Sequence, residues 1–408
     1  MALHWPAATD FNEGIKQSMT DRPFTTSIYA YPWDLADEGF DVALDRIAEL
    51  AGCNEVLLTP CYHRGDYVLP HHPTHPIYFG EPGAIYFEPE LARYAATSIE
   101  PVVSNKVTDP EYFDRIVDAI EDRELSFGAW IVYAYQHQLA ATYPHFARHD
   151  VFGTPYGGQL SLAPVDVCEY FLALTQEVMD RFAPSSVFIE TLGRFGFNPP
   201  PKRQVEIDAR SQYLLSLCFN PASIDNANEA GMDGEEFRQQ VLEYVQPRLM
   251  EAVKGESTEV ASPEWIDTEF DGQLKAYIDV SRAHLSDLWL KVADIIYGRG
   301  AEVHMSLVNA DSTYGQDLEP ELNELCGRVC YEPQGAITSQ EVERLRALAS
   351  DDAKVLYYWD RHFESAEEAT AILASAMDAG CDGATVYNYG LLTSRQLGHV
   401  GAAVAALP

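Results

Sequence analysis

Basic residues are scarce in this chain. Of 408 residues, 27 are Lys+Arg against 63 Asp+Glu, a formal net charge of −36. Only seven of the 27 are lysines, and the acids run along the whole chain rather than in a tail. Such a surface repels phosphates, which excludes nucleic acid as a default partner and works against anionic membranes. An acidic, lysine-poor surface is what proteins of a high-salt cytoplasm carry, because salt screens the self-repulsion that would otherwise loosen the fold. The expectation is a halophilic protein that loosens below molar salt.

Long apolar runs are missing as well. No stretch approaches the roughly 18 apolar residues of a membrane-spanning helix. The first residues, "MALHWPAATDFNEGIKQSMTD", show no basic segment followed by an apolar core. A secretory signal is therefore not expected, and the cytoplasm is the expected compartment. The seven cysteines form no CxxC pair, which argues against a zinc ribbon. Cys326 and Cys330, four apart, are a weak signal, and free thiols in a reducing compartment are the simpler reading. Neither GxGxxG nor GxxxxGK[ST] occurs, which disfavours nucleotide-binding open sheets. No cofactor is expected. No repeat of short period and no low-complexity linker is visible.

What is present is a large apolar complement, 47% of residues, ample for a sizeable core. Eight short β-rich runs alternate with amphipathic stretches. The runs are Thr26–Tyr31, Glu55–Thr59, Ser126–Val132, Ser186–Glu190, Glu302–Val308, Arg328–Glu332, Lys354–Trp359 and Ala384–Asn388. Between them lie helical periods such as Gly39–Ala51, Asp109–Glu121, Val165–Phe182, Ser339–Ala349 and Ala366–Ala379, with Ser394–Ala406 at the end. Continuous apolar strands alternating with helices imply a parallel sheet covered by helices. Eight units in about 400 residues fit a (β/α)8 TIM barrel, and a doubly wound open sheet is the competitor. The connections after strands 2, 3 and 4 are long. The reading is a single barrel over 1–408 with long loops and a helical insertion within 198–257. A long amphipathic run, Pro263–Tyr297, leads to strand 5.

In a barrel of this kind, chemistry sits at the C-terminal ends of the strands. Those ends carry carboxylates separated by aromatics. Glycoside hydrolysis needs two carboxylates flanking the bond, and aromatic faces stack on sugar rings. Glu190, ending strand 4, is the leading acid/base candidate. Asp360 on strand 7 is its leading partner and Glu332 on strand 6 the reserve. Structural alternatives stay open: Glu190 paired with Arg194, Asp360 as a turn or helix-cap residue, and Glu332 aimed by the Pro333 that follows it. Tyr31, Trp33, Tyr133, Trp359 and Tyr389 are candidate stacking walls. His63, Arg64, His137, Arg194, Asn309 and Asn388 are candidate substrate contacts. The loop Cys61–Phe87 also clusters His71, His72 and His75 with His63. These histidines suit either metal binding or contact with sugar hydroxyls, and their spacing matches no specific metal motif.

Four segments, "SIYAYPWDL", "YHRGDYVLPHHPTHPIYFGEPGAIYF", "VFIETLGRFGF" and "YLLSLCFNPAS", resemble blocks of poorly characterised bacterial and archaeal barrel proteins described as glycoside-hydrolase-like. The resemblance spans most of the chain and implies the barrel and a carbohydrate bias. In those relatives the segment matching "LCFNPAS" is richer in cysteine, whereas here Cys218 stands with Asn220 and Pro221. The large clan of retaining glycosidases built on this barrel carries its acid/base at the end of strand 4 and its nucleophile at the end of strand 7. By strand count Glu190 matches the first, and Asp360 stands where that clan shows Glu. The expected activity is hydrolysis of an oligosaccharide or modified sugar. A metal-dependent sugar isomerase, epimerase or lyase and a non-catalytic carbohydrate-binding barrel are the alternatives. The expected partner is a small carbohydrate, with assembly into a homo-oligomer left open. The arginines Arg64 and Arg194 would suit an acidic sugar.

Overall fold

The computed structural model describes residues 24–193, 196–197, 207–251, 260–306, 325–333, 335–350 and 352–407. Eight parallel strands close into a barrel. They are β1 (Thr25–Ala30), β2 (Glu55–Tyr62), β3 (Ser126–Val132), β4 (Ser186–Glu190), β5 (Glu302–Ser306), β6 (Arg328–Tyr331), β7 (Lys354–Asp360) and β8 (Gly383–Tyr387). Each pairs with the next, and β1 pairs with both β2 and β8, which closes the ring. The chain is a (β/α)8 TIM barrel.

The strands form where apolar runs were read because both their faces are covered. One face meets the barrel interior and the other the ring of helices. That ring includes Tyr112–Glu121, Val165–Phe182, Gln273–Tyr297, Ser339–Leu348, Ala366–Asp378 and Ser394–Ala405. Several helices start at side-chain caps. Thr338 with Glu341, and Thr393 with Gln396, form capping boxes, and Ser365 caps the helix after β7. The helical stretch read at Gly39–Ala51 is a short helix, Phe40–Asp45, continued by one π-turn, Arg46–Leu50. Among the described residues no helix is long and apolar enough to cross a membrane.

The floor of the barrel is ionic. The buried guanidinium of Arg328 donates to both oxygens of Glu55 at 2.7 and 2.8 Å, and it also holds Glu302. Ser27 donates to Glu55, and Lys354 bridges to Glu302 at 3.1 Å. Desolvated charges persist here because each has an opposite charge or a hydrogen bond in reach.

Between β4 and β5 lie the helices Ala209–Leu215, Pro221–Glu229, Gly234–Glu251 and Pro263–Thr268. They enclose a second apolar core that includes Tyr213, Phe219, Phe237, Val241 and Trp265. The run read as Pro263–Tyr297 is broken. Phe270, Asp271 and Gly272 take left-handed backbone angles between Pro263–Thr268 and Gln273–Tyr297. The long helix that follows serves both cores. Leu274, Tyr277 and Ile278 pack into the insertion, while Leu285, Leu288 and Trp289 pack against the barrel.

Candidate active site

Strand alternation decides what enters the barrel. Tyr29 of β1 is the hub. Its ring lies 4.9 Å from Trp130 of β3, 5.6 Å from Phe188 of β4, 5.6 Å from Tyr387 of β8 and 6.4 Å from Tyr358 of β7. Contacts from one strand to four others are made only inside the barrel. These residues therefore set the inward parity of each strand.

Glu190 follows Phe188 by two, so it shares the inward face one layer nearer the mouth. The indole N–H of Trp130 donates to its Oε2 at 2.5 Å. Glu190 keeps partial solvent access. The aromatic walls desolvate it nonetheless, and burial raises its carboxyl to about 7 while the indole bond pulls it partly back. A carboxyl that is half protonated near neutrality can give a proton and take it back.

Above this layer four phenols gather. The hydroxyl of Tyr31 lies 3.1 Å from that of Tyr62 and 3.4 Å from that of Tyr387. Tyr67 enters from a hairpin, Asp66–Val68 paired with Ile77–Phe79, with its ring 5.3 Å from Tyr31. Burial raises the phenols of Tyr31, Tyr62 and Tyr67, which keeps them neutral. Behind Tyr31 stands Trp33, stacked at 4.4 Å, and then Tyr78 at 5.1 Å. Trp33 is wholly buried, so it backs the wall and offers no face to a ligand. Next to it Asp34 accepts from the Tyr31 N–H at 3.1 Å, and burial raises its carboxyl to about 8.

Asp360 ends β7 and Glu332 directly follows β6, the strands three and two places round from β4. Both send their field to the phenol of Tyr358, which stacks on Tyr387 at 5.7 Å. Glu332 is exposed. Asp360 has 34% of its side chain exposed; its Oδ2 lies 3.1 Å from His362. The Arg361 N–H donates to its Oδ1 at 2.7 Å.

At the rim, His63 stacks on Tyr62 at 4.3 Å, and its Nδ1 bonds the Arg64 carbonyl at 2.7 Å. Burial lowers its pKa to about 4, so it is neutral. Tyr135 bridges His63 and His137, with ring distances of 4.9 and 4.7 Å. Burial and then the Arg64 charge lower His137 as well. Arg64 is exposed and stands 3.9 Å from Asp66. The other loop histidines go elsewhere. His72 bonds Asp37 at 2.9 Å, and His71 stacks on Tyr389. Among the described residues no three His, Cys, Asp or Glu side chains converge as metal ligands.

Four residues read from the strand ends stand behind the walls. Tyr133 and Trp359 have outward parity. The Tyr133 hydroxyl lies 2.9 Å from Thr175 on the covering helix, and Trp359 packs on Phe363. Tyr389 is wholly buried and donates to Glu38 at 2.5 Å. Asn388, also buried, accepts from the Gly390 N–H. With no exposed face, these side chains contact protein and not a ligand, and the same holds for Tyr31, which is also wholly buried. Arg194 and Asn309 lie outside the described residues. The inward-facing aromatics that strand-end reading missed are Tyr29 and Trp130, both nearly wholly buried, and Tyr358 and Tyr387, which keep partial exposure. The available signal was parity, since a residue two positions before a mouth carboxylate shares its face.

No protein-family model matches the chain, and no curated protein sequence does. Solved structures are similar in fold. One is the alpha-L-fucosidase isoenzyme 2 from Paenibacillus thiaminolyticus, with a TM-score of 0.53 and 11% identity over 94% of this chain and 49% of that one. A second is the polyextremophilic beta-galactosidase from the Antarctic haloarchaeon Halorubrum lacusprofundi, with a TM-score of 0.56 and 12% identity over 94% and 58%. A third is the catalytic domain of beta-amylase from Paenibacillus polymyxa, with a TM-score of 0.50 and 10% identity over 95% and 99%. The chain thus spans 49% of the fucosidase and 58% of the galactosidase. At these identities the likeness is one of fold, a TIM barrel of the kind these glycosidases are built on.

Proposed function

We propose that this protein hydrolyses a glycosidic bond in an oligosaccharide or modified sugar, with Glu190 as general acid/base. The observation that carries the reading is the Glu190 carboxyl, raised to about 7 at the mouth of an aromatic-lined barrel and oriented by the Trp130 indole. In the bond-breaking step Glu190 gives its proton to the leaving oxygen as the C–O bond opens. Asp360 is the proposed partner, attacking the anomeric carbon or drawing a proton from the attacking water, with Glu332 in reserve. Tyr387, partly exposed, supplies a phenol hydroxyl beside the same space, the buried Tyr31 backs it through its hydroxyl contacts with Tyr62 and Tyr387, and His63, Arg64 and His137 form its rim. The acidic chain is proposed to work in a salt-rich cytoplasm.

The test is an oligosaccharide turnover screen in molar KCl, read by mass spectrometry with and without EDTA. Cleavage that survives EDTA and falls about 10²–10⁴-fold in Glu190→Gln supports the reading. Activity lost with EDTA and restored by Mn²⁺ would replace it with a metal-dependent sugar isomerase, epimerase or lyase. Asp360→Asn and Glu332→Gln, run side by side, decide between the two partner carboxylates.

A further inference from the structure

A cleft of about 100 Å³ opens along the seam between the barrel and the helical insertion. Its barrel side is the segment Leu160–Ala163 and Gly193, and its other side is Leu217, Cys218 and the face of Gln273–Tyr297 that carries Ile278 and Leu285. Glu190 does not line it. Gly193, however, is three residues past Glu190, so chain reach places that wall within about 11 Å of the Glu190 backbone.

The exposed lining is mostly hydrocarbon, although Asn226, Arg282 and His284 stand along it; Arg282 donates to Asp279 at 3.2 Å, and His284 Nε2 lies 3.8 Å from the Cys168 thiol. Tyr277 donates to the Cys218 carbonyl at 2.6 Å, and Ser281 to the Tyr277 carbonyl at 3.0 Å. Cys218 donates to Ser161, and Ser223 donates to Cys218, each at 3.5 Å. The buried Arg148 donates to Gln159 at 3.0 Å and to the Ser216 carbonyl. Most of the surface a ligand would meet here is apolar, which favours an apolar group over the many hydroxyls of a sugar ring. An enclosed apolar cavity of about 150 Å³ takes up benzene; this cleft is smaller but open to solvent on one side, so it suits a group no larger than one aryl ring or a short alkyl chain.

The position adds a direction. A general acid stands beside the oxygen that leaves, so whatever that oxygen carries lies on the acid's side of the bond. The cleft is on the side of β3 and β4, the strands that hold Trp130 and Glu190. We infer that it is a binding site for the non-sugar part of a glycoside, an aryl or short alkyl aglycone. Its link to a sugar rests on the glycosidase reading above; its capacity to take up the apolar group does not.

The test uses phenol as the probe and methyl glucopyranoside as the control, by saturation-transfer NMR on the full chain in molar KCl. Phenol is expected to bind the wild type and Glu190→Gln alike. Ala163→Phe, which fills the cleft, should weaken phenol binding by about tenfold or more, the scale of one lost apolar contact surface. Leu162→Trp is the second filling variant should the first not fold. Phenol that fails to bind, or binds the filled variants as well as wild type, overturns the inference. Phenol binding without turnover of any sugar leaves the cleft standing and removes the glycosidase. Turnover that dies in Glu190→Gln while phenol never binds removes the cleft alone. Where turnover is found, the kcat/KM of phenyl over methyl glycosides should fall in Ala163→Phe.

Discussion

The Trp130 indole and the Glu190 carboxylate, on neighbouring strands, meet at 2.5 Å inside the barrel mouth. The indole donates only, so it favours the charged carboxylate and opposes the burial that favours the neutral acid. The balance holds the group near neutrality.

Replacing the indole therefore has a defined sign. In Trp130→Phe the carboxylate loses its donor and burial acts alone, so the Glu190 pKa rises above about 7. A shift of about one unit is expected, the worth of one hydrogen bond to a charged group. Carboxyl infrared titration of the variant measures it. A pKa that stays put or falls counts against the indole's role.

Asp34 gives a pH-dependent stability. Its folded value is about 8 against an ordinary carboxyl value of 3.8, and burial is the main cause. Between those values the unfolded state has released a proton that the native state still holds. Stability from this group is thus intact below about 4 and declines as pH rises toward 8. Asp34→Asn removes the decline, so melting temperatures should favour the variant more at pH 8.5 than at pH 5, roughly the span of the shift. Equal differences at both pH values would refute this.

The ionic floor should be sensitive to losing one partner. Arg328→Leu leaves Glu55 buried beside Ser27 without its cation. A destabilisation of about 3–5 kcal/mol is expected by chemical denaturation. Replacing Glu55 by Leu as well should recover part of it. A double variant less stable than Arg328→Leu alone would show that the pair is not what holds the floor.

Salt is the last lever. With 63 acidic residues against 27 basic ones, melting temperature should climb steeply from 0.1 to 2 M KCl. A melting curve indifferent to KCl would remove the halophilic reading.

Much of the barrel was legible because a strand buried on both faces leaves a continuous apolar run, and turns bound it. The runs Ser126–Val132 and Ser186–Glu190 coincide with β3 and β4 residue for residue. The strand ends followed, and with them the level of the mouth. Position along a strand is a local property, set by hydrogen bonding and burial of neighbours in sequence.

Direction was not legible in the same way. Trp359 and Tyr358 are adjacent aromatics at one strand end, and either could face a ligand until the ring closes. Closure put Tyr358 beside Tyr29 and turned Trp359 into the helix layer. The same step buried Tyr133 against Thr175 and brought Trp130, sixty residues away in sequence, onto Glu190. The sequence by itself determined the alternating strands and helices and the carboxylate at the end of β4, because periodicity and burial are written locally. Only the tertiary structure decided which aromatics surround that carboxylate and how strongly it holds its proton, because parity, contact and desolvation depend on strands that meet only when the barrel closes.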